Sequence, residues 1–423
     1  MASVTLEATA PSWICTPMWR PPADRSPSWS ARGAPSCSRD PGGSPSSACW
    51  RGAMSEFILR RGGSANASAA RVALIAASLV FIGLLVQLAV TTTRSVDPHA
   101  LVRRQIIYAS LAGLVGLAAY GFGYRRAVAW SRPLLIGTWV LLGFLLIPGG
   151  AHIGGGSARW IELGTFGHLQ PSEVAKVVLI LFFSGFAIRK GRELADFRAG
   201  FLPAMSYLGI TAGLVALEPD LGQTVFLAAL SAAVLMINGL KVRHFLPVFA
   251  LGVPVLFVAM SEKWAYIGKR VEGFLAGSHY QVEQGLHFFA SGGVAGQQLG
   301  DGRAHLFVPE IRNDFALVAI GEHSGLIGCV IVVALFAALL HQGVRLALLA
   351  RDRLGFSVAF GLALMIALQA AVNIAVVTSL IPPKGISLPF ISFGGSSMLV
   401  NAVAIGLLAS VADDARSPEE AMA

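Results

Sequence analysis

The sequence predicts an all-α integral membrane protein: a bundle of about ten transmembrane helices with one large extracytoplasmic loop between helices 7 and 8. Three observations carry that prediction. First, 55% of the 423 residues are hydrophobic and only 13% are charged, with a mean hydropathy of +0.66. A soluble domain carries about 25% charged residues; lipid cannot solvate ions, so charge leaves every segment that faces it. Second, apolar runs of spanning length recur along the chain. Third, the basic residues collect in the short connections between those runs.

A spanning helix needs about 20 apolar residues. Ten runs meet that need: 71–91, 105–123, 133–150, 172–188, 201–217, 222–240, 243–260, 314–340, 356–381 and 389–411. Several contain Gly and Pro, which membrane helices tolerate where neighbours satisfy the freed backbone groups. Orientation follows from the loops. With the N-terminus cytoplasmic, the short inner loops hold Arg125, Arg126, Arg132, Arg189, Lys190, Arg192, Arg198, Lys241, Arg243, Arg345, Arg351 and Arg353. The short outer loops hold only Arg94, Arg103, Arg104, Arg159 and Lys384. Basic loops stay inside, so both termini are expected in the cytoplasm and the long loop 261–313 outside. That loop mixes charge, aromatic residues and the glycine-rich run Ser291–Gly296, read here as flexible. Long loops of this kind serve as lids or binding clefts.

The same pattern explains the net charge of +9. Nucleic-acid binding would need a basic patch on a soluble face, and none is visible. Cys15, Cys37, Cys49 and Cys329 show no metal-ligand spacing and no disulfide framework. Residues 1–53 differ from the rest: they hold eight of the 21 prolines, four of the eight tryptophans and no hydrophobic periodicity. Such a composition builds no core. Met54 then opens an ordinary membrane-protein start, so 1–53 is expected to be disordered or a non-native upstream segment. Residues 54–70 read as a cytoplasmic N-terminal segment, 71–411 as the transmembrane domain and 412–423 as a cytoplasmic tail.

Ionisable groups at membrane depth are costly, which makes each a functional candidate. Arg159, Gln170, Glu173 and Lys176 form the first cluster; Glu173 and Lys176 lie three apart and share a helix face. A structural ion pair would account for that pair equally well. Glu218-Pro219-Asp220-Leu221-Gly222 is the second, and turn chemistry alone explains it. In the third, Pro309-Glu310 precedes Asp314, where the long loop enters an apolar helix. The macrodipole favours Asp there, and a carboxylate at that boundary is also placed to act as a general base. Glu322 lies about two turns deeper and is read as an anchor for a polar network with Asp220 and Glu310. The fourth runs from Pro382-Pro383-Lys384-Gly385 to Ser396-Ser397. Gly and Ser allow close helix approach, while Lys384 offers a point charge to a phosphate.

In order and spacing, these pieces resemble the SEDS family of cell-wall polymerases: Arg159-Trp160-Ile161, Gln170-Pro171-Ser172-Glu173 with Lys176, Pro219-Asp220-Leu221-Gly222, Tyr280-Gln281-Val282, Ser291-Gly292-Gly293, Pro309-Glu310 with Asp314-Phe315, Gly321-Glu322, and Lys384-Gly385 through Ser397. The resemblance spans about residues 70 to 411. Pro383-Lys384-Gly385 is closer to the division branch (FtsW) than to the elongation branch (RodA); Arg312-Asn313 stand where His-Thr is usual. The resemblance implies a peptidoglycan glycosyltransferase in the bacterial cytoplasmic membrane. Its substrate would be lipid II, with release of undecaprenyl pyrophosphate. It implies Asp314 as base, and Arg159, Lys176 and Lys384 around the pyrophosphate, with Glu173, Gln170, Ser396 and Ser397 as further substrate contacts. It also implies a divalent cation (Mg or Mn), for which no ligand set is visible, and as partners a class B penicillin-binding transpeptidase and other division-complex membrane proteins. A lipid II flippase or a non-catalytic scaffold for the transpeptidase would use the same cations and helices. Only the polymerase needs a base at Asp314.

Overall fold

The computed structural model describes residues 47–91, 98–147, 152–154, 157–162, 164, 168–218, 220–245, 280–297, 302–382 and 384–415. The chain divides at Ser55/Glu56, and the unit Glu56–Ala423 carries the apolar helices. In chain order the helices are α1 (Ser47–Thr91), α2 (Pro98–Phe122), α3 (Tyr124–Ala129), α4 (Ser131–Leu145), α5 (Pro171–Lys190), α6 (Leu202–Leu217), α7 (Leu221–Ile237), α8 (Tyr280–Ser291), α9 (Ala304–Phe307), α10 (Ala316–Leu349), α11 (Arg353–Val377) and α12 (Gly395–Asp414).

Among the described residues seven helical segments are long and apolar enough to cross a membrane, and Ser131–Leu145 and Leu221–Ile237 are shorter apolar helices. Together they account for nine of the ten expected runs. The run 243–260 lies outside the described residues beyond Phe245, as does most of 261–279 after it. Several boundaries move. α1 begins at Ser47 rather than 71, so it takes in the segment 54–70 expected to precede the bundle; α2 begins at Pro98 rather than 105, and α11 ends at Val377 rather than 381. The helix expected over 133–150 ends at Leu145; α10 begins at Ala316 and continues to Leu349; α12 begins at Gly395 rather than 389. The last shift has a local cause: Phe390 takes a left-handed φ of 66°, which a helix does not accept.

A small antiparallel sheet was not expected. Strands β1 (His152–Gly154), β2 (Ser157–Glu162) and β3 (His168–Leu169) lie in the order β1-β2-β3, with Gly154 opposite Ser157 and Ile161 opposite Leu169. Arg159 rides on β2. The sheet feeds α5, whose first turn carries Pro171, where a missing N–H costs nothing.

Helix α5 is the buried axis of the unit, packed by α4, α7, α11 and α12. Helices α2 and α12 meet through glycine: a Cβ on Gly406 would fall 2.0 Å from the Gly116 carbonyl oxygen. This is the close backbone approach that small residues permit in membranes. At the end of the bundle away from Asp314, the Tyr124 hydroxyl donates to Asp414 at 2.6 Å, and Arg125 bridges Asp414 and Asp352 at 2.5 and 2.8 Å. Asp352 also caps α11 through the Gly355 N–H at 2.8 Å.

Helix α10 is broken at Gly325 (φ 61°, ψ −159°), a backbone region open only to glycine. The run 291–297 fills the break. Leu326 N–H donates to Gly293 O at 3.0 Å, Ile327 N–H to Val294 O at 3.2 Å, and Gln297 N–H to Glu322 O at 2.9 Å. Gly292 and Gly296 are needed there: a Cβ would come 2.0 Å from Gly321 O and 2.2 Å from His323 O. The glycine run read as flexible is therefore a fitted plug, and its small residues serve close approach rather than mobility.

Candidate active site

Asp314 lies in the turn just before α10. Its turn is held through the carbonyls of Arg312, Asn313 and Asp314. Arg312 O accepts from Phe393 N–H at 2.8 Å and from Gln87 Nε2 at 3.2 Å. Asn313 O accepts from the Ser392 hydroxyl at 2.5 Å, and Asp314 O from Asn373 Nδ2 at 2.7 Å. Glu310 turns the chain with a left-handed φ of 56°. Its carbonyl accepts Asn313 N–H (2.9 Å) and Phe315 N–H (3.2 Å), while Asn313 Nδ2 donates to its carboxylate at 2.5 Å. Unpaired backbone groups at membrane depth cost several kcal/mol each, and here four separate side chains and backbone groups supply the donors.

The Asp314 side chain is half-buried and abuts Gly385: a Cβ on that glycine would sit 3.1 Å from Asp314 Oδ2. Gly385 itself is exposed, so the carboxylate borders an open edge. Burial pushes its carboxyl up to about 7; Glu310 adds to the rise and Arg159 opposes it, with Asp220 and Glu173 also within electrostatic reach. Lys384 packs its stem along Gly222, 3.4 to 3.7 Å from where a Gly222 Cβ would lie, with Asp220 Oδ1 at 3.6 Å from the same point. Arg159 approaches Asp220 at 3.5 Å. Asp220 also accepts the Gln223 N–H at 3.1 Å, capping α7. Its carboxyl is raised, chiefly by burial. Neighbouring Glu218 is 3% exposed with neither oxygen hydrogen-bonded, and burial pushes it up to about 8.

Asp314, Arg159, Asp220 and Lys384 thus converge at one end of the bundle. Lys176 and Glu173 lie beneath them and are not surface groups. Lys176 is 0% exposed, pairs with Glu173 at 2.7 Å and donates to Gln369 Oε1 at 2.6 Å; Gln223 Nε2 completes Glu173 at 2.9 Å. The serines are engaged inside the protein. Ser396 accepts Gln170 N–H at 3.1 Å and donates to His168 O; Ser397 meets Ser387 at 3.0 Å. Glu322 stands apart, holding the loop before α9 through the N–H groups of Arg303 (2.6 Å) and Ala304 (3.0 Å). Gln369, Asn373 and Gln223 were not singled out from the sequence, and Ser392 stood in the fourth cluster only as a small residue suited to close packing. An amide inside an apolar helix was the available signal, since it too needs partners there.

The family model described as a cell cycle protein, covering FtsW, RodA and SpoVE, matches residues 69–417. The chain belongs to the FtsW/RodA/SpoVE family. Among its relatives, the probable peptidoglycan glycosyltransferase FtsW of Trichlorobacter lovleyi is 38% identical over 326 residues, covering 74% of this chain and 84% of the relative. Stage V sporulation protein E of Bacillus subtilis is 34% identical over 322 residues, 74% and 87% respectively. The fold is shared with a chain of a peptidoglycan synthase complex (TM-score 0.67, 24% identity, 81% of this chain and 97% of that one). It is shared too with the rod shape determining protein RodA of Thermus thermophilus (TM-score 0.59, 24% identity, 82% and 97%). As a member of the FtsW/RodA/SpoVE family with this many apolar helices, the chain is a multi-pass membrane protein.

Proposed function

We propose that this protein polymerises lipid II into glycan strands at the outer face of the cytoplasmic membrane, with Asp314 as the general base. The sugar hydroxyl of lipid II attacks the anomeric carbon of the lipid-linked chain. Its proton passes to Asp314, the bond from that carbon to the pyrophosphate oxygen breaks, and undecaprenyl pyrophosphate leaves. The observation that carries this reading is the pinned turn that sets the Asp314 carboxylate beside exposed Gly385, with Lys384 and Arg159 at the same end of the bundle. Those cations suit a leaving pyrophosphate, Arg159 by its fork and Lys384 as a point charge. Lys176, sealed against Glu173, holds α5 to α11 under the site rather than meeting the leaving group. With the Asp314 end outward, both termini face the cytoplasm, in keeping with the basic inner loops.

The relatives named peptidoglycan glycosyltransferase FtsW support the reaction, and with Pro383-Lys384-Gly385 they favour a role in septal synthesis. The fold shared with a peptidoglycan synthase complex favours a class B transpeptidase as partner. The described residues contain no group of three or more His, Cys, Asp or Glu able to hold a metal. Glu218 and Asp220 leave carboxylate oxygens without hydrogen bonds, but Arg159 stands against Asp220. That donor set does not fit a divalent cation, and no step above uses one.

Asp314→Asn in the purified protein with its transpeptidase tests the reading. A general base contributes about 10²–10⁴ in rate, so glycan synthesis falls by that factor while lipid II binding holds. Since only the ionised carboxylate accepts a proton, the wild-type rate rises with pH through about 7. Glycan formation by Asp314→Asn at the wild-type rate overturns the assignment, as would lipid II flipping without polymerisation in the wild type.

A further inference from the structure

Helix α11 carries two buried carboxamides one turn apart, Gln369 and Asn373, 0% and 1% exposed. Neither is a charged group, and neither reaches the open edge beside Gly385. Their hydrogen bonds nonetheless run to both halves of the site. Asn373 Nδ2 donates to Asp314 O and to Ile386 O, each at 2.7 Å. Both hydrogens of one amino group are therefore used: one on the residue that carries the carboxylate, one on the segment two residues past Lys384. Gln369 Nε2 donates to Ser387 O at 3.0 Å, one residue further along that segment, while its Oε1 accepts from Lys176 at 2.6 Å.

The two segments that meet here have no regular structure of their own. Residues 309–315 form a chain of turns, and 384–388 form no helix or strand. An irregular segment keeps its geometry only when something outside it supplies its missing hydrogen bonds. Phe393 N–H holds the carbonyl of Arg312, and the Ser392 hydroxyl donates to Asn313 O while accepting Leu388 N–H at 2.8 Å, so Ser392 joins the turn to the far end of the second segment. Asn373 makes the link nearest the chemistry: it bonds the carbonyl of Asp314 itself and that of the residue two past Lys384, from a rigid helix.

We infer that Asn373 is a positioning residue for this reaction: its amino group clamps the Asp314 turn to the Lys384 segment and so sets the spacing between the base and the cation that meets the leaving group. The inference rests on the proposed polymerase reading. Gln369 extends the clamp downward, tying the same segment to the sealed Lys176–Glu173 pair in α5. Two irregular segments thus share one rigid helix as their reference. Reacting groups must be held to well within an ångström, since a displacement of about 1 Å costs about 10²-fold in rate. A helix turn spacing two amides by four residues supplies that rigidity.

Asn373→Leu is near in volume and removes both donors. It is measured beside wild type and Asp314→Asn in the same full-length complex with its transpeptidase, using lipid II as substrate. The expected result is a fall in kcat of about 10²-fold with KM changed by less than about threefold. Hydrogen exchange, which needs no turnover, should show faster exchange in 309–315 and in 384–388 together, with α5 and α12 unchanged. Asn373→Ser keeps one donor and should fall between the two; it decides the matter if Asn373→Leu does not fold. Unchanged kcat in a folded variant overturns the inference. So does a rise in KM alone, or faster exchange spread evenly over the bundle. Wild-type activity surviving in Asp314→Asn removes Asp314 as the base instead, and lipid II flipping without polymerisation in the wild type sinks the polymerase reading; the exchange result then still tells whether the clamp exists.

Discussion

Replacing Gly292 with alanine probes the seat of the run 291–297 in the broken helix α10. The added Cβ would lie 2.0 Å from Gly321 O and 3.0 Å from Glu322 Cα. Both are backbone atoms, so no rotamer relieves the clash and the loop must lift. Lifting breaks the bonds from Gln297 to Glu322, from Leu326 to Gly293 and from Ile327 to Val294, at 2.9, 3.0 and 3.2 Å. Each is worth about 1 kcal/mol net, so about 3 kcal/mol is lost from the closed state. At about 1.4 kcal/mol per tenfold that is about 10²-fold in the local opening constant. Hydrogen exchange by mass spectrometry on the purified protein in nanodiscs reads it directly, as an increase of about 10²-fold at Gln297, Leu326 and Ile327. Gly293→Ala is the comparison. Its φ of +56° strains any side chain, but no atom lies within 4 Å of the new Cβ. It should cost only about 1–2 kcal/mol, about tenfold in exchange. Equal acceleration in the two variants, or none in Gly292→Ala, would refute the reasoning that the plug is held by backbone contact.

The same geometry sets three more outcomes. Gly385→Ala brings a methyl group to 3.1 Å from Asp314 Oδ2; it should lower glycan synthesis about tenfold with lipid II binding retained, read by strand length and binding assays. Lys176→Met leaves Glu173 as an unpaired carboxylate at 3% exposure and should destabilise by about 3–5 kcal/mol, whereas adding Glu173→Gln should restore much of it, read as thermal unfolding midpoints. Glu218 has its proton held up to about 8 against an ordinary value of 4.5. Between those values the folded state binds more protons than the unfolded state, so its contribution is present at low pH and lost as pH rises through about 8; Glu218→Gln should flatten the fall in thermal stability between about pH 4.5 and 8.

The helical layout was legible because lipid imposes one strong rule, and runs of about 20 apolar residues obey it. Asp314, Arg159 and Lys384 stood out for the same reason, as ions where ions are costly. Lys176 and Glu173 stood out too, yet a three-residue spacing on one helix face does not say whether the pair opens to a cavity or seals inward. Only the packing of α5 against α11 decides that. Gln369 and Asn373 carry no charge and drew no notice, although a buried amide in an apolar helix poses the same question of where its partners are. The hairpin of β1 and β2 was written in the alternation of Ser157 through Glu162 beside Gly154-Gly155-Gly156, but a six-residue strand is faint among spans about three times its length. The break at Gly325 had no local signature at all. Glycine is common in membrane helices, and what distinguishes this one is a loop some thirty residues earlier, Gly292 to Gly296, shaped to enter it.

Of the three groups assigned to the chemistry, Arg159 lies on a strand, while Asp314 and Lys384 lie on irregular backbone at helix ends rather than within a helix. Physical necessity accounts for that placement. A helix interior satisfies its own carbonyls, and its side chains project at fixed angles, so it cannot bring two segments from different parts of the chain to within a few ångströms of one substrate. Irregular backbone can, but in a membrane it is stable only where protein donors reach every exposed carbonyl. The turn 312–314 meets that condition with donors from Gln87, Phe393, Ser392 and Asn373, which belong to α1, the connection before α12, and α11. The same donors that make the turn tolerable therefore fix its position against three other parts of the bundle. It follows that substitutions at Gln87 or Ser392, which touch no substrate in the proposed mechanism, should act on kcat in proportion to how far they free the Asp314 turn. Ser392→Ala, removing a 2.5 Å bond, should have the larger effect of the two; single-turnover rates with lipid II would show the opposite order if the turn were held by its own sequence instead.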